Sequence, residues 1–360
     1  MIGLGKVKDT VGVDIGSHAI KAMELHSRKK GDDVIYEVAK IGYEILPHDA
    51  IVEGTIIDST AVVDTLKRLF DKNKITNKNV VISLSGNSVI VKKISLPKME
   101  PDELAESIIW EAKHNIPYPF EETNVDYAIL RSPSAVEQQE NLDILLVAVK
   151  KEKISAYSSI ITQANRNLVA IEVDGFGLLN TFEINYPELF SDKTIALLNL
   201  GANLTNIVIC EKGVPQIMRD LAMGGFFFTE NMRKELNISF EEAEKLLKGG
   251  TSANIAPKEF EAVLRQNTHD FLEEVEKTLS FYTAEDKRGK KIESIFLSGG
   301  LANQKTMVGA FEQKFDITTR ILDPFRQISF NEKKLSPVYY QEMPVFFGVA
   351  TGLATRRMDK

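Results

Sequence analysis

Three observations predict an α/β fold of two similar lobes. The chain has 360 residues, more than one hydrophobic core usually holds, since domains split beyond ~250–300 residues. One short pattern occurs twice. Val11-Gly12-Val13-Asp14-Ile15-Gly16-Ser17-His18-Ala19-Ile20-Lys21 is echoed by Ala196-Leu197-Leu198-Asn199-Leu200-Gly201-Ala202-Asn203-Leu204-Thr205-Asn206, with Asp14 and Asn199 lying 185 positions apart. Amphipathic helical segments alternate with these apolar strands. A period near half the chain indicates two lobes, because solenoids repeat every ~20–50 residues.

The elements follow in order. Each copy of the pattern predicts a hairpin turning at glycine, Gly16 in the first and Gly201 in the second. The second hairpin is extended through Ile207 to Cys210 and turns again at Lys212-Gly213. Helical spacing of Val63, Leu66 and Phe70 predicts a helix over Ser59–Phe70. Pro101 followed by acidic residues opens a helix to Asn115 that buries Leu104, Ile108 and Ala112. Ser239-Phe240-Glu241-Glu242 reads as a capping box, and that helix stops at Gly249-Gly250. Leu272, Val275 and Leu279 share one face of a helix over 271–281.

Residues 80–167 read as a separate inserted module. Its elements are a strand pair (80–84 and 89–94), the Pro101 helix, a strand over 142–149 and a helix over 151–164. A polar hairpin tip is expected at 131–141.

Composition narrows the function classes. The chain carries 44 Lys+Arg against 51 Asp+Glu, a net charge of −7, which disfavours broad binding to phosphate backbones or anionic lipid. Its single cysteine, Cys210, excludes an internal disulfide framework and fits a reducing compartment. No run reaches the ~18–20 apolar residues of a membrane-spanning helix. Met1–Thr10 lacks the apolar stretch of a secretory signal. A cytoplasmic protein is expected, reaching any membrane through a partner.

Four constellations carry chemistry. In Asp14-Ile15-Gly16-Ser17-His18, successive turn N–H groups can cradle phosphate oxygens, Asp14 can hold Mg²⁺ through water, and Lys21 adds a positive charge. Asn199-Leu200-Gly201-Ala202-Asn203-Leu204-Thr205 repeats that turn, so two facing turns would clamp a polyphosphate. At Ser298-Gly299-Gly300-Leu301-Ala302-Asn303 a strand runs into two glycines, which lets backbone approach a flat ligand. Glu244 and Lys248 are spaced i,i+4 on the capped helix. Taken singly, these also read as plain turns and a surface ion pair. The five histidines lack metal-ligand spacing, and neither GxxxxGK[ST] nor GxSxG occurs.

In this order, the pieces resemble the actin/Hsp70/sugar-kinase ATPase superfamily. The resemblance implies an actin-like (ribonuclease H-like) two-lobed α/β ATPase fold with an inserted α+β subdomain. It divides the chain into residues 1–79 (first lobe), 80–167 (insertion), 168–193 (first connecting helix), 194–335 (second lobe with the adenosine motif) and 336–360 (return connecting helix). Asp14 to Lys21 is similar to the first phosphate motif, Asn199 to Thr205 to the second, and Ser298 to Asn303 to the adenosine motif. Ile171–Gly177 and Gly348–Ala354 resemble the two helices that connect the lobes.

Within the superfamily the chain most resembles the PilM family of type IV pilus assembly. The features are the opening DIGSHAIKAMEL, the stretch Met218-Arg219-Asp220-Leu221-Ala222-Met223-Gly224-Gly225, and an insertion of the kind FtsA also carries. The resemblance implies ATP and Mg²⁺. Gly16, Ser17, His18, Lys21, Gly201, Ala202, Asn203, Thr205, Gly224, Gly225, Glu244, Lys248, Gly299, Gly300 and Asn303 are expected at the nucleotide, with Asp14 and Asn199 toward the metal through water.

It also implies docking of the N-terminal cytoplasmic segment of PilN in a groove beside the insertion. The protein would then lie peripheral to the inner membrane, with contacts to other platform and motor components and self-association left open. Asn199 stands where the family usually has Asp, and Asp174, at the position of a catalytic acid, is shorter than Glu. Tight nucleotide binding with slow or absent hydrolysis is therefore expected. A polymerising FtsA- or MreB-like protein and a small-molecule kinase are the alternatives.

Overall fold

The computed structural model describes residues 8–30, 33–130, 141–284, 291–331 and 335–358. The hairpin tip expected at 131–141 falls almost wholly outside them. Chain order gives β1 (Val11–Ile15), β2 (Ala19–Lys30), β3 (Asp33–Ile45), α1 (Ser59–Lys72) and β4 (Asn79–Leu84). The insertion follows with β5 (Val89–Pro97), α2 (Pro101–Asn115), β6 (Thr123–Ile129) and β7 (Asn141–Lys150). Then come α3 (Lys151–Gln163), β8 (Asn167–Val173) and α4 (Asp174–Asn185).

The second lobe holds β9 (Thr194–Leu200), β10 (Thr205–Glu211), β11 (Val214–Leu221), α5 (Gly225–Leu236), α6 (Phe240–Leu247), α7 (Pro257–Ala284), β12 (Ser294–Ser298), α8 (Met307–Phe315) and β13 (Thr319–Ile321). The chain returns to the first lobe with β14 (Ile328–Phe330) and α9 (Gly348–Leu353).

The internal repeat is visible in the sheets. The first lobe orders its strands β8-β4-β1-β2-β3-β14, and the second β13-β12-β9-β10-β11. In each, an antiparallel meander (β1-β2-β3 or β9-β10-β11) continues sideways into two parallel strands. The parallel neighbours need helical crossovers, and these helices supply the cores. In the first lobe Leu66 and Phe70 of α1 and Tyr157 and Ile160 of α3 pack on Val13, Ile20 and Ile82. In the second, Phe228, Phe271 and Phe311 pack on Leu198, Ile207 and Ile295. Each such buried side chain contributes about 1.5–3 kcal/mol.

The boundaries of the insertion differ from those expected. Residues 80–84 and 89–94 are not paired: β4 lies between β1 and β8 in the main sheet, while β5 pairs with β7. The helix expected as the module's last element, α3, belongs to the core of the first lobe through Tyr157, Ile160 and Ile161. The separate unit is the three-stranded sheet β5-β7-β6 with α2 on it, closed by Ile94, Leu104, Ile108, Ile144 and Leu146. Its outer surface carries exposed Ile109 and Trp110 on α2 and exposed Tyr127 and Ile129 on the edge strand β6.

The connecting segments also divide more finely. Residues 168–193 contain β8 apart from its first residue, then α4 and the short helix Pro187–Asp192; the return segment contains the short helix Pro337–Gln341, α9 and a strand at Arg357–Met358. α4 and α9 cross where each has a glycine. A Cβ on Gly352 would lie 1.8 Å from the carbonyl oxygen of Gly177 and 3.0 Å from the Thr181 nitrogen. Helix α7 extends well beyond the predicted 271–281, starting at Pro257.

Candidate functional site

The two hairpin turns face each other across one cleft of about 310 Å³. The first lobe lines it with Asp14, Gly16, Ser17, His18 and Lys21, the second with Asn199, Gly201, Ala202 and Asn203. Asp174, Gly225, Glu244, Lys248, Gly299, Gly300 and Asn303 also line it. Thr205 and Gly224 do not line it. The Thr205 hydroxyl is buried and donates to the Met223 carbonyl at 2.8 Å. A Cβ on Gly224 would stand 2.5 Å from the Gly201 oxygen and 2.6 Å from that of Ala202. Both residues shape the second turn from behind, and the Gly225 and Phe226 N–H groups donate to the Gly201 and Ala202 carbonyls at 2.9 and 2.8 Å.

The repeat extends to side-chain pairs. Asp14 stands opposite Lys21 in the β1–β2 ladder, and the two form an ion pair of 3.1 Å. The positions 185 residues on, Asn199 and Asn206, stand opposite each other in β9–β10. There Asn199 Nδ2 donates to Asn206 Oδ1 at 2.9 Å. One lobe thus holds a charge pair and the other a pair of amides. Beyond Asn206 lies Asp220 of β11, which accepts from Asn206 Nδ2 at 2.8 Å and from the Gly86 N–H at 2.5 Å. Burial raises the Asp220 carboxyl, while these two donors and nearby Lys153 oppose the rise.

Asp174 opens α4 beside Asp14. Burial pushes its carboxyl from the ordinary 3.8 up to about 6, with the charge of Asp14 adding and the Ser83 and Ser85 hydroxyls opposing. Desolvation therefore outweighs the favourable helix N-terminus. Ser83 Oγ is itself buried in this end of the cleft, with the Asp174 carboxyl as its neighbour and no hydrogen bond of good geometry to any other group.

Among the described residues no three His, Cys, Asp or Glu side chains converge into a metal cage. Asp14, the Asn199 amide and the buried Ser83 hydroxyl, which has no hydrogen bond of good geometry, fit Mg²⁺ held through water, since Mg²⁺ keeps several waters and uses few carboxylates. Bound there, the ion would supply positive charge to polyphosphate oxygens.

Contacts between the lobes narrow the mouth. His18 Nδ1 lies 3.6 Å from Glu244 Oε1, and Lys248 lies 3.0 Å from the same oxygen. Burial, then the charge of Lys248, holds His18 below its ordinary value, with Glu244 opposing. At neutral pH its contact with Glu244 is one of a neutral ring. His48 meets Phe226 and Phe240 with ring centroids 5.2 and 4.2 Å apart. The run Phe226-Phe227-Phe228 divides: Phe228 is fully buried in the core, whereas Phe226 lines the cleft.

Glu244 and Lys248 depend on α6. Half of its expected capping box forms: the Glu242 N–H donates to Ser239 Oγ at 3.2 Å, while the Glu242 carboxylate accepts from Ser252 Oγ instead. Ser239→Ala is expected to cost about 1 kcal/mol, read as a lower denaturant midpoint with unchanged slope.

Residues 12–358 match the family model for the type IV pilus assembly protein PilM. The chain belongs to the PilM family. A solved PilM–PilN type IV pilus biogenesis complex superposes with a TM-score of 0.84 at 23% identity, over 98% of this chain and 99% of that one. MreB5 of Spiroplasma citri bound to AMPPNP gives 0.53 at 15%, over 96% and 95%. The ethanolamine utilization protein EutJ from Carboxydothermus hydrogenoformans gives 0.55 at 14%, over 97% and 90%. The fold is the actin-like two-lobed α/β fold.

In this PilM-family chain the cleft also takes residues outside the sequence motifs: Tyr43, Ser83, Ser85, Tyr157, Asn206 and Phe226. Asn206 carries a signal that could have found it, because it lies one repeat period from Lys21. Tyr43 sits opposite Lys21 in the β2–β3 ladder, and Tyr157 donates to the Gly54 carbonyl at 3.1 Å. Both arrive through packing that no local motif announces.

Proposed function

We propose that this chain is an ATP-binding scaffold of type IV pilus assembly that docks the N-terminal cytoplasmic segment of PilN, with nucleotide state tuning that contact. The observation that carries the nucleotide part is the shared cleft, in which two turns from separate lobes present Asp14, Gly16, Asn199 and Gly201 to one space. Family membership supports the pilus role, and the structural neighbour solved as a PilM–PilN complex supports the partner.

A groove of about 810 Å³ beside the insertion suits an extended segment. Edge strands β5 and β11 flank it, with Lys93, Leu145, Met218, Arg219 and Phe281 in its walls. Edge strands offer unpaired backbone groups to an added chain. No helix among the described residues is long and apolar enough to cross a membrane, so attachment to the inner membrane is assigned to the partner. Asp174 is the candidate to act on water, and the short side chain makes slow or absent hydrolysis the expectation.

Mg-ATP at a hundred times its Kd is expected to stabilise the fold by about 2.7 kcal/mol, seen as a raised melting temperature. An unchanged melting temperature defeats the nucleotide part. A PilN N-terminal peptide is then titrated with and without Mg-ATP. Equal affinities defeat the tuning, and no binding in either state defeats the docking.

A further inference from the structure

Asn199, Asn206 and Asp220 form a row across three adjacent strands, each opposite the next in register. The hydrogen bonds in this row run one way, from Asn199 Nδ2 to Asn206 Oδ1 at 2.9 Å and from Asn206 Nδ2 to Asp220 Oδ1 at 2.8 Å. A carboxylate only accepts, whereas an amide has one accepting and one donating end. Asn206 must therefore turn its NH₂ toward Asp220 and its oxygen toward Asn199. Asn199 must then turn its own NH₂ into the row.

What remains for the cleft is Asn199 Oδ1. It has no protein donor among the described residues, and a Cβ on Gly299 of the cleft wall would stand 2.8 Å from it. Reversed, the amide would offer N–H groups, which cannot accept from a metal-bound water.

Asp220 is itself pinned. Its second oxygen takes the Gly86 N–H at 2.5 Å, in the turn that leads into β5, so rotating away from Asn206 would break two bonds. The first lobe needs no such row, because Asp14 presents an accepting oxygen in either rotamer. Resting on the Mg-ATP reading above, we infer that Asp220 is a positioning residue: acting through Asn206, it fixes the Asn199 amide with its oxygen toward the cleft. The negative charge that the second turn lacks at position 199 is thus set two strands away, and it reaches the site as a fixed dipole.

The test is calorimetric titration of the full chain with ATP, in Mg²⁺ and in EDTA, giving the magnesium-dependent gain in affinity. Asp220→Asn is expected to reduce that gain about tenfold, the lower end for residues that orient metal ligands, and to leave the affinity in EDTA unchanged. Asn206→Ala keeps the Asp220–Gly86 bond and is expected to give the same loss, so the result does not depend on Asp220→Asn folding. Adding Asn199→Asp to Asp220→Asn is expected to restore the gain, because a carboxylate accepts in both orientations. A purely structural role for Asp220 gives no such rescue.

If the wild type binds Mg-ATP and either single variant keeps its full magnesium dependence, the inference is overturned alone. Failure of the double variant to recover has the same consequence. A wild type that binds ATP in neither buffer overturns the nucleotide reading, and the inference with it.

Discussion

Gly352→Ala is expected to lower stability by about 3 kcal/mol, at the upper end of overpacking costs, and the melting temperature by about 4 °C. The added Cβ would fall 1.8 Å from the Gly177 carbonyl oxygen and 3.0 Å from the Thr181 nitrogen. Both obstacles are backbone, so no side chain can swing aside. Relief requires α9 to move off α4, which uncovers Leu178, Val349 and Leu353, all buried. Gly309→Ala is the internal control. It sits inside α8 with nothing within 4 Å of its added Cβ, and helix propensity alone makes it stabilising by about 0.5–1 kcal/mol. Thermal melts of the two variants should move in opposite directions; a Gly352→Ala protein melting with the wild type would show that the two helices do not cross this tightly.

Asp174→Asn is expected to stabilise the ligand-free protein at pH 7.5 by about 2–3 kcal/mol and to have little effect near pH 4. The folded protein holds the Asp174 proton up to about pH 6, against 3.8 for an ordinary aspartate. Between those values the folded state binds more protons than the unfolded state, so stability falls as pH rises and then levels off above 6. A pKa raised this far corresponds to roughly 3 kcal/mol. The amide never ionises and escapes that loss. Melting curves of wild type and variant collected from pH 4 to 8 should separate progressively from pH 4 to about 6 and then run parallel. Coincident curves at pH 7.5 would show that burial does not govern this carboxyl. An ionised, desolvated aspartate next to Asp14 is the environment in which a cation would be most strongly attracted.

The legible parts of this molecule are the local ones. Gly16 and Gly201 mark hairpin turns because the residues that make each turn are adjacent in sequence, and the 185-residue offset carries through to the matched strand orders of the two sheets. The spacing of Leu104, Ile108 and Ala112 specifies the buried face of α2 as predicted.

The extent of the insertion is illegible for a physical reason. β4 is followed at once by β5, which in sequence looks like a hairpin, yet β4 takes its partners from β1 and β8. A buried parallel strand has no alternating pattern that tells whose neighbour it is. Asp220 is hidden in the same way. In sequence it belongs to a segment leading to Gly224-Gly225, and its place opposite Asn206 depends on the β10–β11 register, which shifts at a bulge between Ile209 and Cys210.

Trp110 gives this chain a built-in optical probe. It is the single tryptophan in 360 residues, it is exposed, and it sits on the inserted unit, its ring beside that of His114 with centroids 4.0 Å apart. Intrinsic emission excited at the red edge of indole absorbance therefore comes from α2 alone. Events in the cleft register in that signal only if they travel to the insertion, which makes an unlabelled sample its own sensor of communication between the two.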